Sequence, residues 1–254
     1  MTKKPSYIDI ASNTSWVEVT PLFSNCPVDK IMEEISTVEE SFLEERNTDQ
    51  YKSMKDRGVT GIGTKIENQK EWKAVTLFSS TGDYQDTLTQ GILRNDNLET
   101  YKQSFRNIRK HKWTQLAPLM KNTVKWINNE FGQYLNLSYV KIAKLGPGGN
   151  IPLHTDLPNE DLSLLSTQNS YNMLNSFLVE LNFPEGVKAL HDCVEIPYKK
   201  GSIFFLNQSK SHSTVNNGNS TRYNLRIQGL PNRKFREAFL YKINELVRHR
   251  CTNM

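Results

Sequence analysis

Hydrophobic positions recur at helical spacing in the first half of the chain and alternate with polar ones in the second. Trp16-Val-Glu-Val19 alternates as a half-buried strand does. From Val28 to Arg46 the apolar residues Ile31, Ile35, Val38, Phe42 and Leu43 follow Pro27 at helical intervals, which predicts a helix. Residues 47–70 are polar and hold Gly58, Gly61 and Gly63, so they read as a loop able to move. Trp72 to Phe78 reads as a strand, and residues 79–112 are polar and poorly patterned. Trp113 to Leu135 reads as a second helix, with Thr114 as its N-cap. Its stripe is Leu116, Leu119, Met120, Val124, Trp126, Ile127 and Phe131.

From Leu137 the period changes to that of strands. Tyr139–Leu145, Ser176–Phe183, Val187–Ile196, Ser202–Leu206 and Arg222–Gln228 are short apolar or alternating runs, with Pro184-Glu-Gly186 closing the second. Several short strands at regular spacing suggest an antiparallel sandwich or jelly roll. A last helix, Lys234 to Arg248, carries Phe235, Phe239, Leu240, Ile243 and Val247 and is expected to pack on the outside. No Pro/Gly-rich linker divides the chain, so it reads as one domain. Its parts are a helical and irregular support (1–136), a β-rich core (137–230) and a closing helix (231–254).

The 254 residues, 37% of them hydrophobic, suffice for a sizeable core. No run of 18 apolar residues and no apolar stretch behind Met1-Thr-Lys-Lys is present, so neither a membrane helix nor a signal peptide is expected. Cys26, Cys193 and Cys251 are too sparse for a disulfide framework and point to a reducing, cytoplasmic setting. The net charge of +5 is spread along the chain, densest from Arg106 to Lys112. Without interleaved aromatics that run reads as a solvated face rather than a nucleic-acid platform. Nothing in the pattern fixes an oligomeric state.

The chemistry concentrates in Leu145-Gly-Pro-Gly-Gly-Asn-Ile-Pro-Leu-His-Thr-Asp156. His154 and Asp156 are two residues apart, so a strand aims both side chains to one side. Pro147-Gly148-Gly149 would supply a tight turn into it. Downstream, Gly201 to His212 offers a second histidine. Two imidazoles and one carboxylate occupy one face of an octahedral metal, leave a single net positive charge and keep three positions open, as in non-haem iron(II) oxygenases. A lone HxD pair is common by chance, and either histidine alone is more often merely hydrogen-bonded; the set carries the weight. Arg222 completes it: the Asn216-Asn-Gly-Asn-Ser220 turn predicts a hairpin that brings Arg222 back beside His212, where an arginine can hold a carboxylate bidentately. Arg226 points the same way if the alternation holds and is a candidate substrate contact; a partly exposed strand arginine explains it equally well. His191 falls in a stretch expected to face out, and no ligand role is given to it.

With these residues the chain resembles the iron(II)- and 2-oxoglutarate-dependent oxygenases, closest to the aspartyl/asparaginyl β-hydroxylase-like branch. The resemblance covers roughly residues 70 to 230 and includes Asn182-Phe-Pro-Glu-Gly186 and the Trp72 strand. It implies a mainly β fold with flanking helices around a double-stranded β-helix (jelly roll, cupin-like) core. It implies His154, Asp156 and His212 as Fe(II) ligands and Arg222 on the distal carboxylate of the co-substrate 2-oxoglutarate. Dioxygen would then hydroxylate a carbon of an amino acid, free or within a peptide or protein, with succinate and carbon dioxide as co-products. Family members often carry an arginine and a histidine on the strand after HxD. Here residues 157–172 form a longer polar segment able to act as a lid, and Asn172, Asn175 and Ser176 follow as candidate substrate contacts.

Two rivals remain at this level. An oxygenase acting on nucleic acid or another small metabolite would suit the positive charge, but needs a basic groove with stacking aromatics. A non-catalytic cupin-like metal- or ligand-binding module shares the fold class, but an intact HxD…H with Arg222 argues against it.

Overall fold

The computed structural model describes residues 15–56, 68–86, 110–154, 175–206 and 210–235. Ten strands form one curled sheet: β1 (Trp16–Glu18), β2 (Lys70–Ser79), β3 (Lys112–Trp113), β4 (Leu135–His154), β5 (Asn175–Glu180), β6 (Val187–His191), β7 (Val194–Glu195), β8 (Ile203–Leu206), β9 (His212–Asn216) and β10 (Arg222–Pro231). The order is β1-β8-β5-β10-β4-β9-β6-β7, and β2 lies against β4 and carries β3. All pairings are antiparallel. Among the described residues three helices accompany the sheet: α1 (Val28–Thr37), α2 (Asp49–Asp56) and α3 (Lys121–Glu130).

Strand alternation divides the sheet into two faces. Val75, Leu77, Val140, Ile142, Phe177, Val179, Ile203, Phe205, Leu225 and Ile227 face a large apolar core with Ile31 and Ile35 of α1 and Ile127 of α3. On the opposite face Leu178 and Phe204 join Trp16, Ala189, Ile196 and Tyr198 in a second, smaller cluster. The polar residues Arg222, Asn224 and Arg226 of β10 turn to that side, into a pocket.

The α1–α3 contact is fixed by a carboxylate. Met120 precedes α3 and has no side-chain acceptor, so Glu34 of α1 takes its place. Glu34 accepts from the backbone amides of Asn122 (2.7 Å) and Thr123 (3.0 Å) and from the Thr123 hydroxyl (2.7 Å). An acceptor with negative charge suits a helix N-terminus.

Several expected elements differ. The first helix stops at Thr37, where Ser36 and Thr37 hydroxyls donate back to Glu33 and Glu34 carbonyls. Single 3-10 turns follow (Glu39–Ser41 and Glu45–Asn47), and Leu43 bridges to Ala74. The loop expected at 47–70 contains α2 in its first part; residues 57–67 lie outside the described residues. The second helix does not begin at Trp113. That residue is in β3, Thr114 bonds Thr76 and Leu77 of β2, and Pro118 sits in a 3-10 turn before α3. Val187–Ile196 is a hairpin, because Asp192 (φ 55°) and Cys193 (φ 62°) adopt left-handed turn conformations between β6 and β7. Phe235 is fully buried in the main core rather than packed outside; the remainder of the expected C-terminal helix lies outside the described residues.

Two corrections bear on the site. Residues 146–149 do not turn into a new strand; they lie within β4, whose 20 residues pass from the first half of the sheet to the second. Gly148 (φ +71°) makes the irregular passage possible, and a side chain at Gly149 would strike the Gly146 carbonyl and Leu145. Nor does Asn217-Gly218 make a hairpin. β9 and β10 run one after the other, both antiparallel to β4, opposite its later and earlier halves. The turn is a short excursion from β4, stapled by the fully buried Asn216. Its Nδ2 donates to the carbonyls of Leu145 and Ser220 (2.9 Å each), and its Oδ1 accepts from the Gly218 amide (3.0 Å). Asn216→Ala should cost about 1–3 kcal/mol, because buried backbone groups lose their partners. At roughly 2–4 °C per kcal/mol for a chain of this size, thermal denaturation will show the loss.

Candidate active site

β4, β9 and β6 lie side by side in a register that sets three histidines in a row: His154 opposite His212, and His212 opposite His191. The ring centroids of His154 and His212 are 4.1 Å apart; those of His212 and His191 are 5.3 Å apart with planes 9° from parallel. The two predicted histidines therefore meet, although 57 residues of sequence lie between them.

Their protonation is set locally. His154 Nδ1 lies 2.7 Å from the Pro152 carbonyl, and His212 Nδ1 lies 3.0 Å from the Lys210 carbonyl. A carbonyl only accepts, so each Nδ1 carries a proton, and in the neutral ring Nε2 then carries the lone pair. That is the state a divalent metal requires of imidazole ligands, and in both cases the acceptor is the backbone two residues earlier. Two such imidazoles suit a first-row divalent metal, iron(II) among them. Asp156 lies just past the end of β4, outside the described residues, as does Asn172; among the described residues no group of three His, Cys, Asp or Glu is arranged to hold a metal. Asn175 opens β5 opposite Gly229.

His191 does not face out. It is 2% exposed, on the same side of β6 as the buried Val187 and Ala189. The alternation Val-Lys-Ala-Leu-His already carried that signal, since residues two apart share a face.

The pocket below the histidines is lined by Lys141, Leu178, Ile196, Tyr198, Arg222 and Arg226, among others. Arg222 is 2% exposed and bound bidentately: its Nε donates to Glu180 Oε2 (3.0 Å) and its Nη2 to Glu180 Oε1. The guanidinium lies 5.7 Å from the Phe183 ring and 5.4 Å from that of Tyr198. Burial lifts the Glu180 carboxyl above its ordinary range, and Arg222 opposes that rise. Burial disfavours the charge on Arg222, but Glu180 outweighs it and holds the guanidinium ionised. Glu180 was not anticipated from the sequence; a lone carboxylate inside the apolar run Phe177–Leu181 was the signal. With Glu180 on the Nε/Nη2 edge, Arg222 retains both Nη1 hydrogens and the second Nη2 hydrogen as donors for a ligand.

Arg226 lines the same pocket, donates from Nε to Ser176 Oγ (3.2 Å) and pairs across the ladder with Lys141. Lys141 in turn bonds Glu45 (2.8 Å) and stands 5.7 Å over the Trp72 ring. Among the described lining residues, three cations face one carboxylate, Glu45, with Glu180 behind Arg222. Gln69 and Trp72 were not anticipated as site residues. The Gln69 amide nitrogen and the Trp72 indole nitrogen are buried and take no hydrogen bond within the protein. Such a donor costs about 1–3 kcal/mol until something accepts from it.

A curled jelly roll with paired, tautomer-fixed histidines over a cationic pocket is the class that fold and geometry define. Within it, the chain belongs to the aspartyl/asparaginyl β-hydroxylase family, whose sequence model matches residues 27–230. It is thereby an enzyme of the 2-oxoglutarate-dependent hydroxylase class. No curated protein sequence matches it significantly. Among solved structures it is similar to a prolyl hydroxylase from Trichoplax adhaerens in complex with a hypoxia inducible factor peptide fragment (13% identity, 86% of this chain and 84% of that one, TM-score 0.43). It is also similar to the viral collagen prolyl hydroxylase of Paramecium Bursaria Chlorella virus-1 (14%, 86% and 97%, TM-score 0.38). A salicylate 1,2-dioxygenase mutant from Pseudoaminobacter salicylatoxidans matches over 36% of this chain and 22% of its own length (16% identity, TM-score 0.27). The family assignment depends on none of these partial likenesses. Among the described residues no helix is long and apolar enough to cross a membrane.

Removing Glu180 alone strands a buried guanidinium. Glu180→Ala should therefore destabilise the fold by about 3–5 kcal/mol, and the double change Glu180→Leu with Arg222→Met should recover most of it. Urea denaturation of the two variants and the parent separates these outcomes.

Proposed function

We propose that the protein is an iron(II)- and 2-oxoglutarate-dependent dioxygenase that hydroxylates an amino acid residue, with His154, Asp156 and His212 as metal ligands and Arg222 on the distal carboxylate of 2-oxoglutarate. The observation that supports it best is the in-register His154–His212 pair, each imidazole held by its Nδ1–H to a backbone carbonyl, above a pocket with surplus positive charge. When bound, iron(II) and 2-oxoglutarate supply the activation of dioxygen, with one oxygen atom going to succinate, the other to the substrate hydroxyl, and carbon dioxide released.

The protein's own side chains do the rest. The Pro152 and Lys210 carbonyls fix both imidazole planes before any ligand arrives, so little reorganisation remains. Arg222 presents Nη1 to a carboxylate while Glu180, Phe183 and Tyr198 prevent it from swinging away. Arg226 adds charge on the same wall and is placed to steady the co-substrate or the substrate. Leu178, Ile151, Ile196 and Leu206 keep the pocket dry, which strengthens each of these contacts. Burial pushes the Cys26 thiol up to about 12, so it stays a neutral thiol near pH 7.

The test is to add iron(II) and 2-oxoglutarate to the purified protein without oxygen and look for the visible charge-transfer band of the chelate. His154→Ala and His212→Ala should each abolish the band and lower succinate release by at least about 100-fold, with the folded state retained. Arg222→Ala should weaken 2-oxoglutarate binding by roughly 10- to 100-fold. A full-strength band in either histidine variant overturns the ligand assignment, and an unchanged 2-oxoglutarate Kd in Arg222→Ala overturns the clamp.

A further inference from the structure

We propose that Gln69 and Trp72 form a substrate subsite that receives an uncharged carbonyl oxygen, and that the surrounding charge excludes a carboxylate from it. This rests on the pocket being the active site proposed above. Neither residue is engaged by the family's iron and co-substrate machinery as assigned to this chain.

Four features converge on these two side chains. First, both line the pocket beneath the histidines and also a smaller recess beside it, so they form the wall between the two. Secondly, Gln69 is 7% exposed, and its amide nitrogen and the Trp72 indole nitrogen are buried without a hydrogen bond in the protein. A buried donor that the fold leaves unsatisfied is one a ligand can satisfy. An indole N–H can only donate, so the ligand atom it meets is an acceptor. Thirdly, the backbone here departs from regular pairing. Register between β2 and β4 shifts between Lys70 and Trp72, Glu71 has φ +50°, and the glycine-rich passage of β4 lies opposite. Irregularities of this kind re-aim side chains beside active sites, and a non-glycine residue at positive φ persists only where its surroundings hold it.

The fourth feature is charge. The recess is lined by Glu44, Glu45, Arg46 and Glu71 besides Gln69 and Trp72, three carboxylates against one guanidinium. Lys141, the nearest cation on the pocket side, is already paired with Glu45 at 2.8 Å. Both donors on offer are neutral. An incoming carboxylate would meet like charge and gain no new counter-ion, whereas an amide carbonyl meets two donors and pays no electrostatic penalty. The anionic end of the chemistry is left to Arg222 and Arg226 on the other wall. The acceptor bound by Gln69 and Trp72 is thus an amide-type oxygen, that of a peptide bond or a carboxamide.

The test uses the full-length protein loaded with iron(II) and 2-oxoglutarate under anaerobic conditions. Its probes are a set of N-acetyl amino acid amides and the matching N-acetyl amino acids with a free carboxylate, and binding is measured by calorimetry. At least one amide should bind about tenfold or more tightly than its carboxylate partner. Trp72→Phe, which keeps the ring and removes the N–H, and Gln69→Leu should each weaken that amide by on the order of tenfold. Both should leave the Kd of 2-oxoglutarate and the visible band unchanged, and Glu71→Gln should narrow the discrimination against the carboxylate. Equal or tighter binding of the carboxylates overturns the proposal. So does loss of 2-oxoglutarate affinity in Trp72→Phe or Gln69→Leu, which would make the pair structural or part of the co-substrate site. Failure of every amide to bind while 2-oxoglutarate binds overturns it too. Failure of 2-oxoglutarate itself to bind the parent protein overturns the function proposed above and leaves the subsite without a site to serve.

Discussion

The continuous pairing of β4 is the constraint on which the rest of the molecule depends. Its 20 residues hydrogen-bond to β2 and β10 along the first half and to β9 along the second. Because ladder pairing fixes register residue by residue, a single strand sets the height of Lys141 beside Arg226, of Leu145 beside Arg222 and of His154 beside His212. The spacing between the cationic wall and the histidine pair is therefore a property of one piece of backbone. The glycines at 146–149 let that backbone change direction without surrendering its partners on either side, and Asn216 fastens the matching interruption between β9 and β10.

The period of two along the strands then distributes the chemistry. On β10 the odd positions Tyr223, Leu225 and Ile227 pack on the helical side, and the even positions Arg222, Asn224 and Arg226 meet the pocket. Taking cations out of water is costly unless each is compensated. The fold compensates two of them by carboxylates drawn from distant segments, Glu45 for Lys141 and Glu180 for Arg222. Arg226 is supported by a hydroxyl, Ser176. Around Gln69 and Trp72 the balance is reversed, with Glu44, Glu45 and Glu71 against Arg46.

Much of this was legible in the sequence, and the parts that were not share a physical reason. Strand alternation identified β2, β5, β8 and β10 closely, and the spacing of His154, His212 and Arg222 marked the residues that the fold does bring to one pocket. Local rules failed where a distant partner decided the outcome. Thr114 has the chemistry of a helix cap but is recruited by β2, while the real cap of α3, Glu34, comes from another helix. Asn217-Gly218 has the sequence of a hairpin, yet β4 offers pairing on both sides of it and draws the chain straight on. His191 was misjudged although its own alternation pointed inward, and Glu180 passed unnoticed because its partner lies 42 residues away.

The manner in which the imidazoles of His154 and His212 are held has a consequence for how such a protein can change. Each meets a backbone carbonyl two residues back, a group that no substitution of a side chain removes. The orientation of these two rings is thus insulated from drift in the surrounding sequence. The walls of the pocket can be rewritten, and new molecules admitted, while the histidine pair keeps its geometry. A scaffold built this way separates what it does from what it does it to.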